Sequence, residues 1–385
     1  MTARWDVVVV GARVAGASTA MLLARAGLRV LCVERSRKGS DTVSTHALMR
    51  AGVLQLSRWG VLDAVRAAGT PPVRRTTFHY GDDAVSVSLR PSAGVDALYA
   101  PRRTVLDPVL ADAAVGAGAT VRYGTAVTGL LRGDDGRVTG VVVRDRSGRT
   151  AEEHADLVIG ADGRNSFVAA AVGAARQFTG LEATGFVYGY WADLPIDGYT
   201  WVYRPGTSVG AIPTNDGLTC VFAGARSEVM ASLVRAHGPE AALRTITGPG
   251  VLGPGLSAAR RVGGIRYVRG APAHLRRPYG PGWALVGDAG YWKDPLSTHG
   301  MTAALRDAGL LAAAVTSGPR PGTARTAALR NYAGCRDALS LPMLEVVERV
   351  AAHDWDMTGI RSLLIQLAST MVDEVELLEG LPQAA

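Results

Sequence analysis

The chain has few cysteines and no long apolar run, and each shortage excludes a class of protein. Its 385 residues include three cysteines, which lie far apart and lack metal-ligand spacing. This fits a reducing cytoplasm, no structural disulfide and no metal site. No apolar run reaches the ~20 residues of a membrane span. The apolar residues 7–10 are followed by Arg13 and no cleavage site, so we predict a strand and not a signal peptide.

Lysine is also scarce, which bears on the meaning of the net charge of +7. Lys38 and Lys293 are the two lysines, and arginines spread along the chain supply the remaining positive charge. A nucleic-acid-binding protein more often concentrates its charge on one element. We therefore expect small-molecule partners, no nucleic acid, no membrane, and a monomer or homodimer.

The first 34 residues have the pattern of a nucleotide-binding βαβ unit. Residues 5–10 form a mostly apolar run, as in a buried parallel strand. A turn at residues 11–16 leads into a helix predicted over residues 14–27. Residues 28–33 predict a second buried strand, which Glu34 closes.

In the rest of the chain the predicted secondary structure changes from mixed helices and strands to antiparallel strands, and then to helices. We predict helices over residues 51–68 and 106–117, a hairpin over 78–89, and strands within 120–143 and at 155–160. Residues 186–222 alternate as antiparallel strands that carry Tyr and Trp on one side. A buried strand is predicted at 283–286, and helices follow from residue 298, with a loop at 319–322.

This order predicts an α/β (α+β) fold. We expect a Rossmann-like, three-layer ββα nucleotide-binding domain with an inserted antiparallel sheet and C-terminal helices. The predicted nucleotide-binding domain is discontinuous and comprises residues 1–75, 99–180 and 275–318. The predicted substrate-binding sheet domain comprises 76–98 and 181–274, and the C-terminal helical segment 319–385.

Three motifs carry the nucleotide signal. Gly11-x-Arg13-x-x-Gly16 stands between the first strand and helix, where a helix N-terminus binds a pyrophosphate, and Glu34 stands where an acid binds ribose hydroxyls. Arg13 replaces the middle glycine; it either places a cation on the phosphates, which we favour, or points outward. The sequences GADG at 160–163 and GDA at 287–289 each follow an apolar strand, where ligands of open α/β sheets bind.

With these motifs, residues 1 to about 320 resemble the FAD-dependent flavoprotein monooxygenases, or aromatic hydroxylases, of the p-hydroxybenzoate hydroxylase fold. The resemblance implies FAD as cofactor, NADPH or NADH as reductant, and O2 as co-substrate. It also implies contacts to FAD from an Arg-x-x-Leu pattern that Arg103 matches, and from helix amides where Pro295 and His299-Gly300-Met301 stand. The predicted cofactor-binding residues are Gly11, Arg13, Ala15, Gly16, Glu34, Arg35, Arg103, Asp162, Asp288, Pro295, Gly300 and Met301.

Some positions depart from the pattern of that family. The family often has Pro-x-x-Gly-x-Gly where this chain has Pro295-x-x-Thr298-His299-Gly300. The related halogenases carry a Trp-x-Trp-x-Ile-Pro motif, which residues 190–195 do not match, so halogenation is not expected.

Candidates for acid–base catalysis are His46 and His299. An imidazole with an ordinary pKa of about 6.5 suits proton transfer at neutral pH, although a lone histidine is more often a structural residue. Two basic residues have alternative roles. Arg50 either binds the cofactor or begins a surface helix, and we expect Lys293 to contact phosphate or solvent.

The aromatic strands supply the candidate substrate residues. Tyr188, Tyr190, Trp201 and Tyr203 either line a pocket for a flat substrate or pack the sheet against helices. We predict a monooxygenase that hydroxylates an aromatic or polyketide-like small molecule through a flavin C4a-hydroperoxide, in bacterial secondary metabolism such as antibiotic biosynthesis. The alternatives are an FAD-dependent dehydrogenase, oxidase or reductase of the same fold, and a non-catalytic FAD-binding accessory protein.

Overall fold

The computed structural model describes residues 4–248, 250–318 and 320–380. Pro319, where the predicted 319–322 loop begins, lies outside these ranges, as do residues 1–3, 249 and 381–385. The helices in chain order are α1 Val14–Arg25, α2 Arg50–Arg58, α3 Leu62–Ala67, α4 Arg103–Gly116, α5 Phe167–Ala171, α6 Ser227–Thr247, α7 Gly253–Ala258, α8 Gly300–Ser317, α9 Thr323–Ala351 and α10 Met357–Gly380.

The described strands lie between Trp5 and Trp292. In order they are β1 Trp5–Val10, β2 Val30–Glu34, β3 Pro72–Val73, β4 Arg75–Tyr80, β5 Asp83–Ser88, β6 Leu98–Tyr99, β7 Thr120–Tyr123, β8 Ala126–Arg132, β9 Val138–Arg144, β10 Thr150–Gly160, β11 Arg176–Thr179, β12 Thr184–Ala192, β13 Tyr199–Arg204, β14 Thr207–Pro213, β15 Leu218–Arg226, β16 Arg260–Val268, β17 His274–Arg276, β18 Tyr279–Gly280, β19 Trp283–Leu285 and β20 Tyr291–Trp292.

The first sheet is the parallel sheet that the opening βαβ unit predicts. Its order is β18-β19-β10-β1-β2-β7, and β19, β10, β1, β2 and β7 run parallel. An antiparallel extension, β8 and β9, continues from the long strand β10. The strands β1 and β2 are mostly apolar because both faces are covered, on one side by α1, α4 and α8 and on the other by the β8–β9 extension and α5.

The second sheet has the order β16-β12-β15-β14-β13-β4-β5. Its neighbours are antiparallel except for β13 and β4, which pair in parallel, so the predicted hairpin joins the sheet at one edge by an unpredicted parallel pairing. One face of this sheet packs on α6 with aliphatic residues, and the other turns its aromatic residues towards the first sheet and its helices. The predicted α/β fold with an inserted sheet and C-terminal helices is confirmed. The exact domain boundaries stay a prediction.

Two helix predictions need correction. The helix predicted over 51–68 is two helices, α2 and α3, because the chain turns at Gly60 with φ +67°. Helix α6, which covers one face of the second sheet, was not predicted; Gly238 has non-helical backbone angles and Pro239 follows it, which hides the helical pattern. Arg50 begins α2 and donates to the carbonyls of Arg90, Ser92 and Val95, so the helix-start alternative describes its place.

The helices after residue 300 cover the first sheet and the edge of the second. Helix α8 packs on α1, α2 and α9, and α10 packs on α9 and α2. Within the described ranges, no helix combines the length and the hydropathy that a membrane crossing requires.

Candidate FAD site and the aromatic face above it

Three motifs that are far apart in the sequence meet at the carboxyl edge of the parallel sheet. Val10 pairs with Gly160 on one side and Val33 on the other, and Gly160 pairs with Leu285. The chain leaves these strands into neighbouring turns, which are those at residues 11–16, 34–36, 160–163 and 287–289. A ligand at this edge can therefore contact all of them.

The glycines at this edge are required by close packing. A Cβ at Gly16 would lie 1.8 Å from the carbonyl oxygen of Gly11, and a Cβ at Gly11 would lie 2.5 Å from the carbonyl oxygen of Ala161. Gly287 packs on the first turn of α1, since a Cβ there would lie 2.8 Å from Cβ of Ala15. The turns thus stay thin enough for a ligand to approach the backbone.

Glu34 supplies the acidic end of the edge. It is 7% exposed, and its carboxylate accepts hydrogen bonds from the amides of Ala12 at 3.0 Å and Ser36 at 2.8 Å. Helix α1 begins beside it without a side-chain cap from Arg13, so its first-turn amides are available to an anion. Arg35, the next predicted contact, is exposed.

The arginine in the first motif pairs with an acidic residue of α4. The guanidinium of Arg13 lies 3.2 Å from the carboxylate of Asp107, which also binds Arg103 at 2.8 and 3.0 Å. One carboxylate therefore holds both predicted cofactor arginines beside the start of α1. Their contact with phosphate stays a prediction.

The two predicted aspartates lie at the same edge. Asp162 accepts hydrogen bonds from the hydroxyl of Ser166 and the amide of Val168, which fixes the turn into α5. Burial raises its pKa. Burial also raises the pKa of Asp288 to about 6, against the opposing effects of Lys293 and Arg103. Both carboxyl groups sit where charge is costly unless a ligand or cation pairs with it.

The start of α8 forms the far end of the site. Pro295 begins a one-turn 3-10 helix, and Thr298 then adopts φ +48° before His299 and Gly300 open α8. A Cβ added at Gly300 would meet no described atom within 4 Å, so the backbone there faces open space. Met301, in the same turn, contacts the hydroxyl of Ser44 through its sulfur at 3.9 Å.

His46 lies in the loop between β2 and α2, two residues after Ser44, and it faces the second sheet. Its Nε2 is 2.6 Å from the hydroxyl of Tyr190, the residue is fully buried, and its φ of +71° is strained for a non-glycine residue. Burial, together with the charges of Arg103, Arg102 and Arg266, lowers the pKa of His46 to about 3. The expected ordinary pKa is therefore wrong in this protein, and His46 is neutral at neutral pH.

The aromatic residues occupy the sheet face that turns towards the FAD edge. Tyr188, Tyr190, Trp201 and Tyr203 all belong to the same core cluster as α1 and α8, whereas alternate residues pack on α6. Tyr190 lies at the His46 loop, and Tyr203 stacks edge-on against Trp355, which follows α9. The face therefore contributes to packing throughout; its role with a substrate stays a prediction.

Three charged residues around Tyr190 were not predicted. The guanidinium carbon of Arg102 lies 4.4 Å from the Tyr190 ring centroid, and Arg266 lies 3.4 Å from the hydroxyl of Tyr188. Asp41 faces both arginines, at 3.7 Å from Arg102 and 3.2 Å from Arg266. No sequence signal joins these residues, because they come from a loop, a helix start and a strand that only the tertiary structure brings together.

The other predicted acid–base residue, His299, faces the last helix. Nε2 of His299 lies 2.6 Å from the carboxylate of Glu374 on α10, and neither side chain is more than 1% exposed. Lys293, expected to contact phosphate or solvent, is instead 4% exposed and lies over the ring of Tyr291 at 4.1 Å. Burial and Arg306 lower its pKa to about 8.

The residues at this edge fit FAD. Uncapped helix amides suit a pyrophosphate, the carboxylate of Glu34 suits a ribose diol, and thin glycine turns allow close approach. Two buried polar atoms near the aromatic face, Nδ1 of His46 and Nε of Arg102, have no hydrogen-bond partner among the described residues. Among all residues that the structure describes, no group of His, Cys, Asp or Glu side chains has the arrangement of a metal site.

Comparisons with known proteins agree with this assignment. The family described as "FAD binding domain" matches residues 4–236. A menaquinone reductase of Mycolicibacterium smegmatis is 30% identical over 83% of this chain and 78% of its own length. Aklavinone 12-hydroxylase RdmE of Streptomyces purpurascens is 31% identical, over 53% of this chain and 40% of its own.

A similar solved structure is PqsL of Pseudomonas aeruginosa, a probable FAD-dependent monooxygenase. It superimposes with a TM-score of 0.80 at 20% identity, over 94% of this chain and all of that one, which shows a shared fold. The chain therefore belongs to the FAD binding domain family, and it is an FAD-dependent oxidoreductase.

Proposed function

We propose that the protein is a monooxygenase that hydroxylates an aromatic or polyketide-like small molecule with NADPH or NADH and O2. The observation that carries the proposal is the buried pair of His46 and Tyr190, with their polar atoms 2.6 Å apart where the aromatic face meets the FAD edge. When bound, FAD supplies electron transfer and activation of oxygen. The chain must then bind the substrate, exclude water and manage one proton.

The aromatic face serves binding and water exclusion. Tyr188, Tyr190 and Trp201 are each at most 7% exposed, so they exclude water from this face, and a flat substrate would stack on their rings once neighbouring side chains move aside. Asp41, Arg102 and Arg266 form a charged rim over part of that face. A substrate between the face and the flavin would thus be held in a dry, apolar layer with polar groups at its edge.

Proton handling falls to the His46–Tyr190 pair. Because its pKa is lowered to about 3, the imidazole is neutral at neutral pH and is a weak base that does not keep a proton. Its Nε2 already contacts the Tyr190 hydroxyl, while Nδ1 has no partner among the described residues. We assign to this pair a concerted relay of the proton that a phenolic substrate releases as its ring is oxidised: one group of the pair takes up this proton while the other releases a proton to solvent, so no imidazolium has to persist.

The comparisons support this function in part. The relative from Streptomyces purpurascens is named as a hydroxylase, and the superimposable PqsL is described as a probable monooxygenase. The hydroxylase match covers only 40% of that protein, so its substrate is not transferred to this chain.

One observation favours a second function, a reductase of the same fold. The alignment with the menaquinone reductase extends over 83% of this chain, against 53% for the hydroxylase. On this alternative the aromatic face would bind a quinone or a prenyl chain, and two electrons would reduce it without oxygen insertion.

Product analysis with the purified holoprotein separates the two functions. NADPH or NADH oxidation and oxygen consumption are followed with a panel of phenols, polycyclic phenols and menaquinone analogues. A monooxygenase consumes oxygen in step with the reductant and adds one labelled oxygen atom from heavy-isotope dioxygen. Turnover that continues without oxygen, with products that gain only hydrogen, would replace the proposal by the reductase function.

A further inference from the structure

A buried cluster of charged side chains lies directly behind the start of α8. Besides the His299–Glu374 pair, the second carboxylate oxygen of Glu374 lies 3.3 Å from Arg306, whose guanidinium also bonds Asp307 at 2.7 Å and the hydroxyl of Ser340 at 2.9 Å. The four ionisable side chains in these pairs are at most 1% exposed. Ionisable groups so deep in a protein are costly unless they are paired, so a specific role for the pairing is expected.

Glu374 is the member that connects two separate parts of the chain. It lies on the last helix, α10, whereas its partners His299 and Arg306 both belong to the start of α8. Burial alone would raise its pKa, but His299, Arg306 and Lys293 outweigh burial and lower the pKa to about 2. A fixed negative charge therefore stands behind the first turn of α8.

His299 transmits this contact to the backbone. It is the N-cap residue of α8, but its side chain does not cap the helix amides and points instead to Glu374. The preceding Thr298 has φ +48°, so the turn into the helix is strained and requires support from outside. Gly300 follows immediately, and a Cβ added there would meet no described atom within 4 Å.

We propose that Glu374 is a positioning residue of the FAD site. By holding the imidazole of His299, it fixes the turn that aims the first amides of α8 at the flavin and sets the charge behind them. The proposal rests on the assignment of the α8 start to FAD, and it makes the last helix part of the cofactor site. It does not depend on whether the enzyme inserts oxygen.

The test replaces the charge and keeps the shape, with Glu374→Gln in the full-length protein. We expect the apoprotein to stay folded, FAD to dissociate about 10- to 100-fold more readily, and the visible absorption bands and midpoint potential of bound flavin to shift. Glu376→Gln is the matched control, because Glu376 is exposed on the same helix two residues away. It should leave all three measurements unchanged.

Two further variants separate positioning from general stability. Leu367→Ala removes a buried α10 side chain that is 5% exposed, so it should lower the melting temperature without moving the flavin spectrum or potential. His299→Gln leaves the Glu374–Arg306 pair intact; it should reproduce the flavin changes of Glu374→Gln, and the double variant should add little to either. If Glu374→Gln does not fold, His299→Gln carries the test.

The outcomes decide the proposal. Matching flavin spectra and potentials in wild type, Glu374→Gln and His299→Gln would overturn it, as would fully additive effects in the double variant. If Leu367→Ala shifts the flavin spectrum as strongly as Glu374→Gln, the role belongs to helix packing and the proposal fails. Absence of oxygen insertion in the wild-type holoprotein, with FAD bound, would count against the proposed function and not against this role.

Discussion

The FAD edge and the aromatic face lie next to each other, but they are built in different ways. At the FAD edge, short turns present backbone atoms, and close contacts such as that of Gly16 with Gly11 span a few residues. The aromatic face is formed by side-chain contacts, and His46 contacts Tyr190, which is 144 residues away in sequence. The first region depends on local backbone geometry, whereas the second depends on the correct docking of two sheets.

We expect the largest effect on the FAD edge from Gly16→Ala, which adds a single methyl group. Gly16→Ala would place Cβ 1.8 Å from a backbone oxygen that cannot move aside. We expect almost no bound FAD and a loss of about 3 kcal/mol in the free energy of unfolding, measured from the flavin content of purified protein and by urea unfolding.

Gly116→Ala is the control for this change. A Cβ at Gly116, the last residue of α4, meets no described atom within 4 Å. The control variant should therefore bind FAD normally. Full flavin occupancy in Gly16→Ala would show that the turn is looser than the structure describes.

The aromatic side is tested by His46→Gln, which keeps approximate size and hydrogen bonding but lacks the basicity of imidazole. FAD content should stay normal, because the FAD edge does not depend on this side chain. If the pair accepts the substrate proton, turnover should fall by about 10²–10⁴. Rapid kinetics with a substrate identified by product analysis provides the measurement, and near-normal turnover would end the catalytic assignment of His46.

The predicted contact of Glu34 with the adenosine ribose can be tested separately from the glycine turn. Glu34→Ala removes the carboxylate that the amides of Ala12 and Ser36 hold in place. We expect FAD binding to weaken by about 1–3 kcal/mol, as for the loss of a charge-assisted hydrogen bond. Fluorescence titration of apoprotein with FAD and with FMN is the test; equal weakening for both would place Glu34 away from the adenosine ribose.

The smallest effect that we expect is the change in the free energy of unfolding that His46 causes as the pH falls. The pKa of His46 is about 3 when folded and about 6.5 when unfolded, so the unfolded chain binds the proton first. Stability from this residue is complete above pH 6.5 and is lost as the pH falls from there towards 3. Between pH 7.5 and 5, His46→Gln should lose about 2 kcal/mol less than wild type.

Chemical denaturation at the two pH values measures this difference. His237→Gln, an exposed substitution on α6, is the control and should follow wild type. The buried His274 and His353 also have pKa values lowered to about 4. Both variants therefore keep the acid sensitivity that these two histidines give to wild type. Parallel loss in wild type and His46→Gln would show that His46 is not held neutral.

The sequence alone was sufficient for the class of fold and for the order of strands, turn and helix at the FAD edge. The order of strand, glycine turn, helix and acid from Trp5 to Glu34 is set by neighbouring residues, because turns and helix starts depend on local backbone angles. The alternating aromatic strands likewise predicted the inserted sheet, since a period of two follows from the pleat of a strand.

The tertiary structure alone decided which side chains meet and what charge they carry. Asp41 reaches Arg266, and Glu374 reaches His299, only after sheets and helices far apart in the chain have packed. Burial and three nearby arginines then make His46 neutral, which its isolated pKa could not indicate. Neighbouring residues determine local backbone angles, whereas burial and long-range pairing depend on the whole folded chain.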